Sequence, residues 1–288
     1  MKAIINILNQ LQNILADNKS SSCEICYRGV SDKSWKEEPA LFRNNNLENE
    51  TRVLNEIIRQ FPDDFIYSHT IDILNQLQHY SCPTRMMDVT TNFLVALFFA
   101  CGGWEQVLNP QGFEKLKQID GKITIYSVPN GNIKSVDSET AIVISNIARI
   151  EGNVPFKKYV WKCVKDQGGA WDDNNEDLIK SNIQDLNKVI LVKTKLNNPR
   201  VRAQFGEFFL FGGIEGISYL GNANLSTIMD QKVSKKPIPF PQEYIQGNIY
   251  IPSSEKELVL SDLRQYFGIS FATLCPEKHD VVQTLMKY

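Results

Sequence analysis

The apolar stretch from Phe93 to Cys101 (FLVALFFAC) constrains the fold of this chain more than any other feature of its sequence. Because apolar side chains would surround the helix that this stretch predicts, the helix must be buried on most of its sides. A membrane-spanning helix needs about 20 apolar residues, and the stretch is well short of that. It therefore predicts a core built around the helix, and a chain of 288 residues is long enough to form one.

Composition and charge exclude several classes of protein. The formal net charge is −2 and the sequence contains no long run of Lys or Arg, which weakens a nucleic-acid-binding interpretation. The first 20 residues have the pattern of an amphipathic N-terminal helix rather than of a signal peptide. The six cysteines are scattered through a long chain, so a disulfide framework is not expected. We expect a cytoplasmic protein with no membrane attachment, folded as one domain over residues 1–288.

Hydrophobic periodicity predicts the order of the elements. Helices are predicted over residues 3–16, 48–61, 68–80 and 92–101, and strands over residues 23–30, 122–128, 188–194, 208–211 and 249–251. Since helices come first and strands later, an α+β fold is favoured over a doubly wound sheet.

Polar residues concentrate in residues 27–101, next to elements predicted to be buried. Tyr27-Arg28-Gly29 ends the first predicted strand, and a second run leads into the apolar helix through a predicted turn: Gln78-His79-Tyr80-Ser81-Cys82-Pro83-Thr84-Arg85-Met86-Met87-Asp88-Val89-Thr90. Polar groups near a core are unfavourable unless they pair with one another or with a ligand. Arg28 suits an anion, and Gly29 would let a ligand approach the backbone. We therefore predict a ligand-binding and catalytic site here.

Each of these residues also has a structural interpretation. Arg85 and Asp88, three positions apart, could form an ion pair, and Thr90, Thr91 or Asn92 could cap the apolar helix. Metal chemistry is disfavoured. The chain has three histidines in all, which argues against zinc, and the motif holds one carboxylate, whereas Mg²⁺ would need two or three.

The same residues resemble the FRG domain, which is named for a Phe-Arg-Gly sequence. The resemblance rests on Tyr27-Arg28-Gly29, on Trp35, Pro39, Leu41-Phe42-Arg43 and Glu50, and above all on the pattern Gln-His-Tyr-x-x-Pro-Thr-Arg-x-x-Asp-x-Thr. Tyr27 stands in place of the Phe, Ser81 in place of a Gly, Val89 in place of a Trp, and Met86-Met87 in place of a Leu-Leu pair. None of these departures removes a polar group of the site.

A more distant similarity connects this order of motifs to ADP-ribosyltransferases. It implies N-terminal helices packed on a mostly antiparallel, ADP-ribosyltransferase-like split sheet, with NAD as the substrate and no metal. The implied catalytic residues are Arg28, Thr84, Asp88 and Gln204, and the implied NAD-binding residues are Tyr27, Gly29, Gln78, His79, Tyr80, Arg85 and Thr90. Arg28 would hold the diphosphate, and Thr84 or Thr90 would supply a hydroxyl. His79 and Tyr80 would line the nicotinamide or the ribose.

The carboxylate that stabilises the positive charge is not settled by this resemblance. Gln204 stands where a glutamate is common, and Glu207 follows three residues later. On a strand such a pair faces opposite sides, so Asp88 is the alternative. The ADP-ribose acceptor is also open and would be a protein, a nucleic acid or water. A toxin or phage-defence role, with an inhibitory partner protein, is an expectation by analogy alone. The competing hypothesis is a non-catalytic nucleotide- or protein-binding module.

Overall fold

The computed structural model describes residues 1–16, 22–43, 46–65, 69–79, 82–166, 183–196, 198–217 and 225–276. Of His79 and residues 225–227, only the backbone is described. The helices are α1 (Lys2–Ala16), α2 (Glu50–Gln60), α3 (Pro62–Phe65), α4 (Thr70–His79), α5 (Phe93–Ala100), α6 (Gly103–Leu108), α7 (Pro110–Leu116), α8 (Glu139–Ser145), α9 (Phe156–Asp166), α10 (Pro199–Gln204), α11 (Leu225–Asp230), α12 (Lys256–Phe267) and α13 (Phe271–Leu274). The strands are β1 (Cys23–Val30), β2 (Met86–Thr90), β3 (Gly121–Pro129), β4 (Ile133–Ser135), β5 (Val154–Pro155), β6 (Val189–Lys193), β7 (Gly206–Phe211), β8 (Ile214–Glu215), β9 (Lys232–Lys235) and β10 (Ile245–Ile251).

A mostly antiparallel sheet organises the described part of the chain. Its order is β10-β3-β1-β2-β7-β6-β4, and the β4–β6 pair is parallel while the other pairs are antiparallel. A smaller antiparallel sheet has the order β5-β9-β8. The mixed α/β class and the mostly antiparallel sheet are thus confirmed. The expectation of helices first and strands later is wrong, because helices and strands alternate along the chain.

Three apolar clusters cover the two faces of the large sheet. On one face, α4, α8 and α9 pack over β2, β6 and β7, while α1, α5 and α12 pack over β1, β3 and β10. The opposite face carries a third cluster, in which alternate residues of β1, β2, β3, β6 and β7 meet Phe240 and Tyr244. Because successive side chains of a strand face opposite sides, Cys26 belongs to the third cluster and Tyr27 to the α5 side.

The sequence predicted the elements with strong periodicity, and it missed β2. The segment Met86–Thr90 was expected to be a turn between two helices, whereas it is a central strand between β1 and β7. Helix α5 is where the apolar stretch predicted it, and Phe93, Val95, Ala96, Leu97, Phe98 and Ala100 are buried. Asn92 caps this helix by accepting a hydrogen bond from the Leu94 N–H at 3.0 Å.

The sheet is split between β1 and β2. One pair of Cα partners, Tyr27 with Thr90, joins these strands in the described residues. By contrast, β1 has eight such partners on β3, and β2 has five on β7. Beyond Tyr27 and Thr90 the strands diverge, so Arg28 to Val30 and Met86 to Val89 face each other across a gap.

Candidate functional site

A cavity of about 340 Å³ occupies the gap between β1 and β2. Residues 27–31 form one wall and residues 86–90 form the other, while α5, α6, α10 and the segment after β1 close its ends. The volume is at the lower end of the range of roughly 300–1,000 Å³ for small-molecule sites. Both walls come from the segments in which the sequence predicted the site.

Arg28 and Arg43 give the cavity a pair of guanidinium groups. Arg28 lies on the face of the third cluster, because it is two residues from Cys26 on β1 and residues two apart on a strand share a face. Both residues line the cavity, and the pKa of Arg43 is lowered, first by burial and then by the positive charge of Arg28. Arg43 donates to the Glu38 carbonyl at 3.1 Å. Two neighbouring guanidinium forks suit a phosphate or diphosphate.

Glu37 holds the Arg28 side of the site in place. Its carboxylate lies 3.5 Å from Arg28 Nη1, and it accepts hydrogen bonds from Thr124 Oγ1 at 2.9 Å and from the Tyr126 hydroxyl. Lys122 Nζ lies 2.9 Å from it. Burial alone would raise the pKa of Glu37, but Arg28, Tyr126 and Lys122 together lower it, so the group is held ionised. Glu37 was not identified from the sequence, because its four partners come from two strands that meet only in the fold.

Asp88 is the carboxylate of the opposite wall. It lies on β2 between two buried residues, is itself exposed, and lines the cavity. Within the described residues its side chain has no hydrogen-bond or ion-pair partner. The predicted Arg85–Asp88 ion pair is therefore wrong. Glu38, which also lines the cavity, is by contrast 3.7 Å from Arg43 Nε.

Gln204 and Thr90 meet at the end of the cavity next to α10. Thr90 Oγ1 donates to the Gln204 carbonyl at 2.6 Å and accepts from the Asn92 N–H at 3.0 Å. Gln204 Nε2 donates to the Leu274 carbonyl at 3.1 Å. Both side chains line the cavity, but the Thr90 hydroxyl and the Gln204 amide nitrogen already have partners.

The interpretation of Gln204 and Glu207 as residues of one strand is wrong. Gln204 ends α10, the backbone turns at Phe205 with a φ of 49°, and Glu207 lies on β7. A positive φ is uncommon for a bulky residue, and this turn separates the two side chains. Glu207 is absent from the cavity wall. Burial, followed by the charge of Glu24, raises its pKa to about 7.

Thr84 and Gln78 are hydrogen-bonded to each other, and they do not both line the cavity. The Thr84 hydroxyl donates to Gln78 Oε1, and Gln78 Nε2 donates to the Met86 carbonyl at 3.3 Å. Gln78 lines the main cavity, whereas Thr84 is buried and lines a separate hollow of about 100 Å³. Of the two proposed hydroxyls, Thr90 is thus at the cavity and Thr84 is not.

Arg85 is fully buried and belongs to a structural network. Its Nε and Nη2 donate to the two carboxylate oxygens of Glu50 at 2.8 and 2.6 Å, and its Nη1 donates to the carbonyls of Phe211 and Gly212. Lys235 Nζ lies 3.2 Å from the same Glu50. These bonds engage the guanidinium inside the core. Arg85 was predicted to bind the ligand, but in the structure its role is structural.

Gly29 is required by the close packing of helix α5 on β1. A Cβ at this position would lie 1.7 Å from the carbonyl oxygen of Ala96 in α5. Tyr27, on the same side of β1, packs edge-on against Phe93 with ring centroids 5.4 Å apart. Both residues line the cavity. Tyr80 lies outside the described residues, as does the side chain of His79, so their proposed roles stay predictions.

Several cavity residues were not predicted from the sequence. Trp104 and Glu105 on α6, and Arg200 on α10, close one end, and the Arg200 guanidinium lies 4.2 Å from the centre of the Trp104 ring. The local signals were an Asn-Pro helix start just before Arg200 and a Gly-Gly pair just before Trp104. Neither signal indicates which residues meet at a distance of almost a hundred positions.

The fold and the site define a mixed α/β protein with an open, mostly antiparallel sheet and a polar cavity where two central strands diverge. Residues 23–107 match the family model of the FRG domain, from the first residue of β1 into α6, so this segment is an FRG domain as its motifs indicated. No curated protein and no solved structure matches the chain.

The described residues also bear on whether the chain spans a membrane and whether it binds a metal ion. None of the described helices has the length and apolar character needed to cross a membrane. Nowhere in the described residues do three His, Cys, Asp or Glu side chains come together in a way that could hold a metal ion.

Proposed function

We propose that the protein binds NAD in this cavity and cleaves the bond between nicotinamide and ribose, as an ADP-ribosyltransferase or an NAD glycohydrolase. The observation that carries the proposal is that two cations, Arg28 and Arg43, and an unpaired carboxylate, Asp88, line the same cavity. Arg28 and Arg43 would bind the diphosphate, and Asp88 would face the ribose. The order of the motifs on β1, on β2 and at the junction of α10 with β7 supports an ADP-ribosyltransferase-like fold, since β1, β2 and β7 are neighbours in the sheet.

The chemistry needs few groups. When the C1′–N bond breaks, its electron pair leaves with the nicotinamide, and the ribose acquires oxocarbenium character. A fixed carboxylate stabilises that charge as it develops, which lowers the barrier. An acceptor then forms a bond to C1′ and gives up a proton. We assign the electrostatic role to Asp88 in place of Gln204, because the Gln204 amide nitrogen is bound to the Leu274 carbonyl.

A non-catalytic module is the second candidate, favoured by one observation. The motif residues Thr84 and Arg85 are used within the protein, so part of the pattern serves the fold. Under this candidate, NAD or another nucleotide would bind and remain intact.

The test is incubation of the full chain with NAD, with free nicotinamide measured by chromatography. We expect release by the wild-type protein, and losses of about 100-fold or more in Arg28→Ala and Asp88→Asn, as when one preorganised electrostatic group is removed. The matched controls are Arg59→Ala and Asp230→Asn, whose side chains are exposed and do not line the cavity. An NAD-dependent rise in Tm without nicotinamide release would favour the binding module. If neither effect is observed, NAD is not a ligand of the cavity, which contradicts the proposed function.

A further inference from the structure

The end of the cavity formed by α6 carries a carboxylate with unused hydrogen-bonding capacity. Glu105 lines the cavity, and its Oε1 accepts one hydrogen bond, from Ser31 Oγ at 3.0 Å. Its Oε2 is buried and has no hydrogen-bond partner in the described residues. An ionised carboxylate has about four acceptor positions, and a buried acceptor without a partner is unfavourable. A hydrogen-bond donor on a ligand would satisfy Glu105 Oε2.

The surroundings hold Glu105 where it is. Ser31, which donates to it, is itself buried, and the Ser31 carbonyl accepts a hydrogen bond from the buried Lys256 Nζ at 2.6 Å. Burial lowers the pKa of Lys256, while the charge of Glu105 acts against that shift. Lys256, Ser31 and Glu105 therefore form a chain of contacts from the core to the cavity. The terminal torsion of a glutamate is soft, so a small rotation presents either oxygen to a ligand.

Aromatic rings lie beside this carboxylate, and the Arg200 guanidinium covers the Trp104 ring at 4.2 Å. Phe99 and Trp104 line the same end of the cavity, with ring centroids 6.3 Å apart, and Phe271 supports Trp104 from behind at 5.3 Å. Aromatic walls favour a planar ring, and such rings stack in offset or edge-on arrangements.

We infer that Glu105 is a specificity-determining residue, which accepts a hydrogen bond from an exocyclic amino group on a planar ring of the ligand. The inference rests on the proposed nucleotide-binding role of the cavity but not on cleavage. NAD has two groups of this chemistry, the amine of adenine and the carboxamide of nicotinamide. A site built around such a donor rejects an analogue that lacks it, because the carboxylate would then be left unpaired.

The experiment uses two matched pairs of mononucleotides, with binding to the full chain measured by calorimetry. AMP and IMP differ by an amine in place of a ring carbonyl. Nicotinamide mononucleotide and nicotinic acid mononucleotide differ by a carboxamide in place of a carboxylate. We expect the amine-bearing member of at least one pair to bind about 10-fold tighter or more, and the affected pair identifies which ring Glu105 contacts.

Glu105→Gln should remove that preference, because the glutamine amide can donate to the analogue. The matched control is Glu114→Gln, an exposed glutamate of α7, which should keep it. If Glu105→Gln does not fold, Glu105→Asp, which withdraws the carboxylate, should weaken the amine-bearing member selectively. A preference that survives both changes, or no binding of any of the four nucleotides, would overturn the inference. A Glu105-dependent preference without NAD cleavage would instead contradict the proposed catalysis alone.

Discussion

Arg85 connects three parts of the chain that are distant in sequence. Its guanidinium joins the start of α2, through Glu50, to the end of β7, through the Phe211 and Gly212 carbonyls, while its own backbone precedes β2. A buried pair of charges contributes little net stability compared with a well-packed apolar pair, but removing one partner leaves the other charge buried. The arginine of the FRG pattern therefore positions β2, and with it the Asp88 wall of the cavity.

We predict that Arg85→Met lowers the free energy of unfolding by about 3 kcal/mol, because the buried Glu50 then keeps Lys235 as its one cationic partner and the Phe211 and Gly212 carbonyls lose a donor. Chemical denaturation of the purified protein measures the change. The matched control is Arg59→Met, which removes an exposed partner of Glu56 and should leave stability almost unchanged. Equal stabilities of the two variants would show that the Arg85 network is not required by the fold.

Glu207 predicts a pH dependence of stability. Burial and the charge of Glu24 raise its pKa in the folded protein to about 7, above its ordinary value of 4.5. Between these values the folded state binds more protons than the unfolded state, so stability falls as the pH rises from 4.5 to 7. Glu207→Gln abolishes this loss. Because the side chain is partly exposed, we discount the effect for solvent screening to about 1 kcal/mol of added stability at pH 8 relative to wild type.

Denaturation of wild type and Glu207→Gln at a series of pH values checks this prediction. The difference in free energy of unfolding between them should be smallest near pH 4.5, the ordinary pKa, and should grow up to about pH 7. Glu243→Gln, at an exposed position, should show no such growth. A difference that stays constant across this range would contradict the raised pKa.

At the scale of elements, α5 lies against the sheet at two glycines. A Cβ at Gly29 would meet the Ala96 carbonyl at 1.7 Å, and a Cβ at Gly121 would meet the Ala100 carbonyl at 2.0 Å. These close approaches let an almost wholly apolar helix lie directly on β1 and β3. Since the same helix supplies Val95 and Phe99 to the cavity, its distance from β1 also determines the shape of the site.

We predict that Gly29→Ala destabilises the protein by about 1–3 kcal/mol or more, as overpacking of a well-packed core does, and that it impairs ligand binding by moving α5. Thermal unfolding, with and without NAD, measures both effects. Gly131→Ala is the matched control, because a Cβ there has no neighbour within 4 Å and should leave stability almost unchanged. If the two alanine variants melt together, the helix is not held as closely as these contacts indicate.

The accuracy of the sequence predictions varies between elements for physical reasons. The strand Cys23–Val30 and the helix Phe93–Ala100 were predicted because burial leaves a local pattern in the sequence. Strand β2 was missed because it is short and has Asp88 at its centre, facing a cavity rather than a core. The predictions for Arg28 and Asp88 as cavity residues are consistent with their position on its walls. The Arg85–Glu50 pair and the meeting of Glu105 with Ser31 have no local signal, since they depend on long-range packing.

At the scale of the whole molecule, the cavity exists because the sheet is incompletely paired. The strands β10, β3 and β1 form one part and the strands β2, β7, β6 and β4 form the other, and the single pair of Tyr27 and Thr90 joins them in the described residues. Each part has its own helices and its own apolar cluster on the α5 side. Arg28 comes from one part and Asp88 from the other, so a ligand that contacts both would connect the two parts.

This arrangement predicts how backbone hydrogen exchange responds to the ligand. In the free protein, the amides of residues 28–30 and 86–89 that point into the gap should exchange faster than the amides of the same strands that pair with β3 or β7, because they lack a strand partner. Bound NAD should slow the exchange of these amides on both sides of the gap, and it should raise Tm, because it binds the folded state alone. Exchange measured by NMR, with and without NAD, tests this, and the paired amides between β3 and β10 serve as the internal control.

Slowing on one side of the gap alone would mean that the ligand contacts one part of the sheet. Equal exchange of gap-facing and paired amides in the free protein would mean that the two strands close over the cavity in solution.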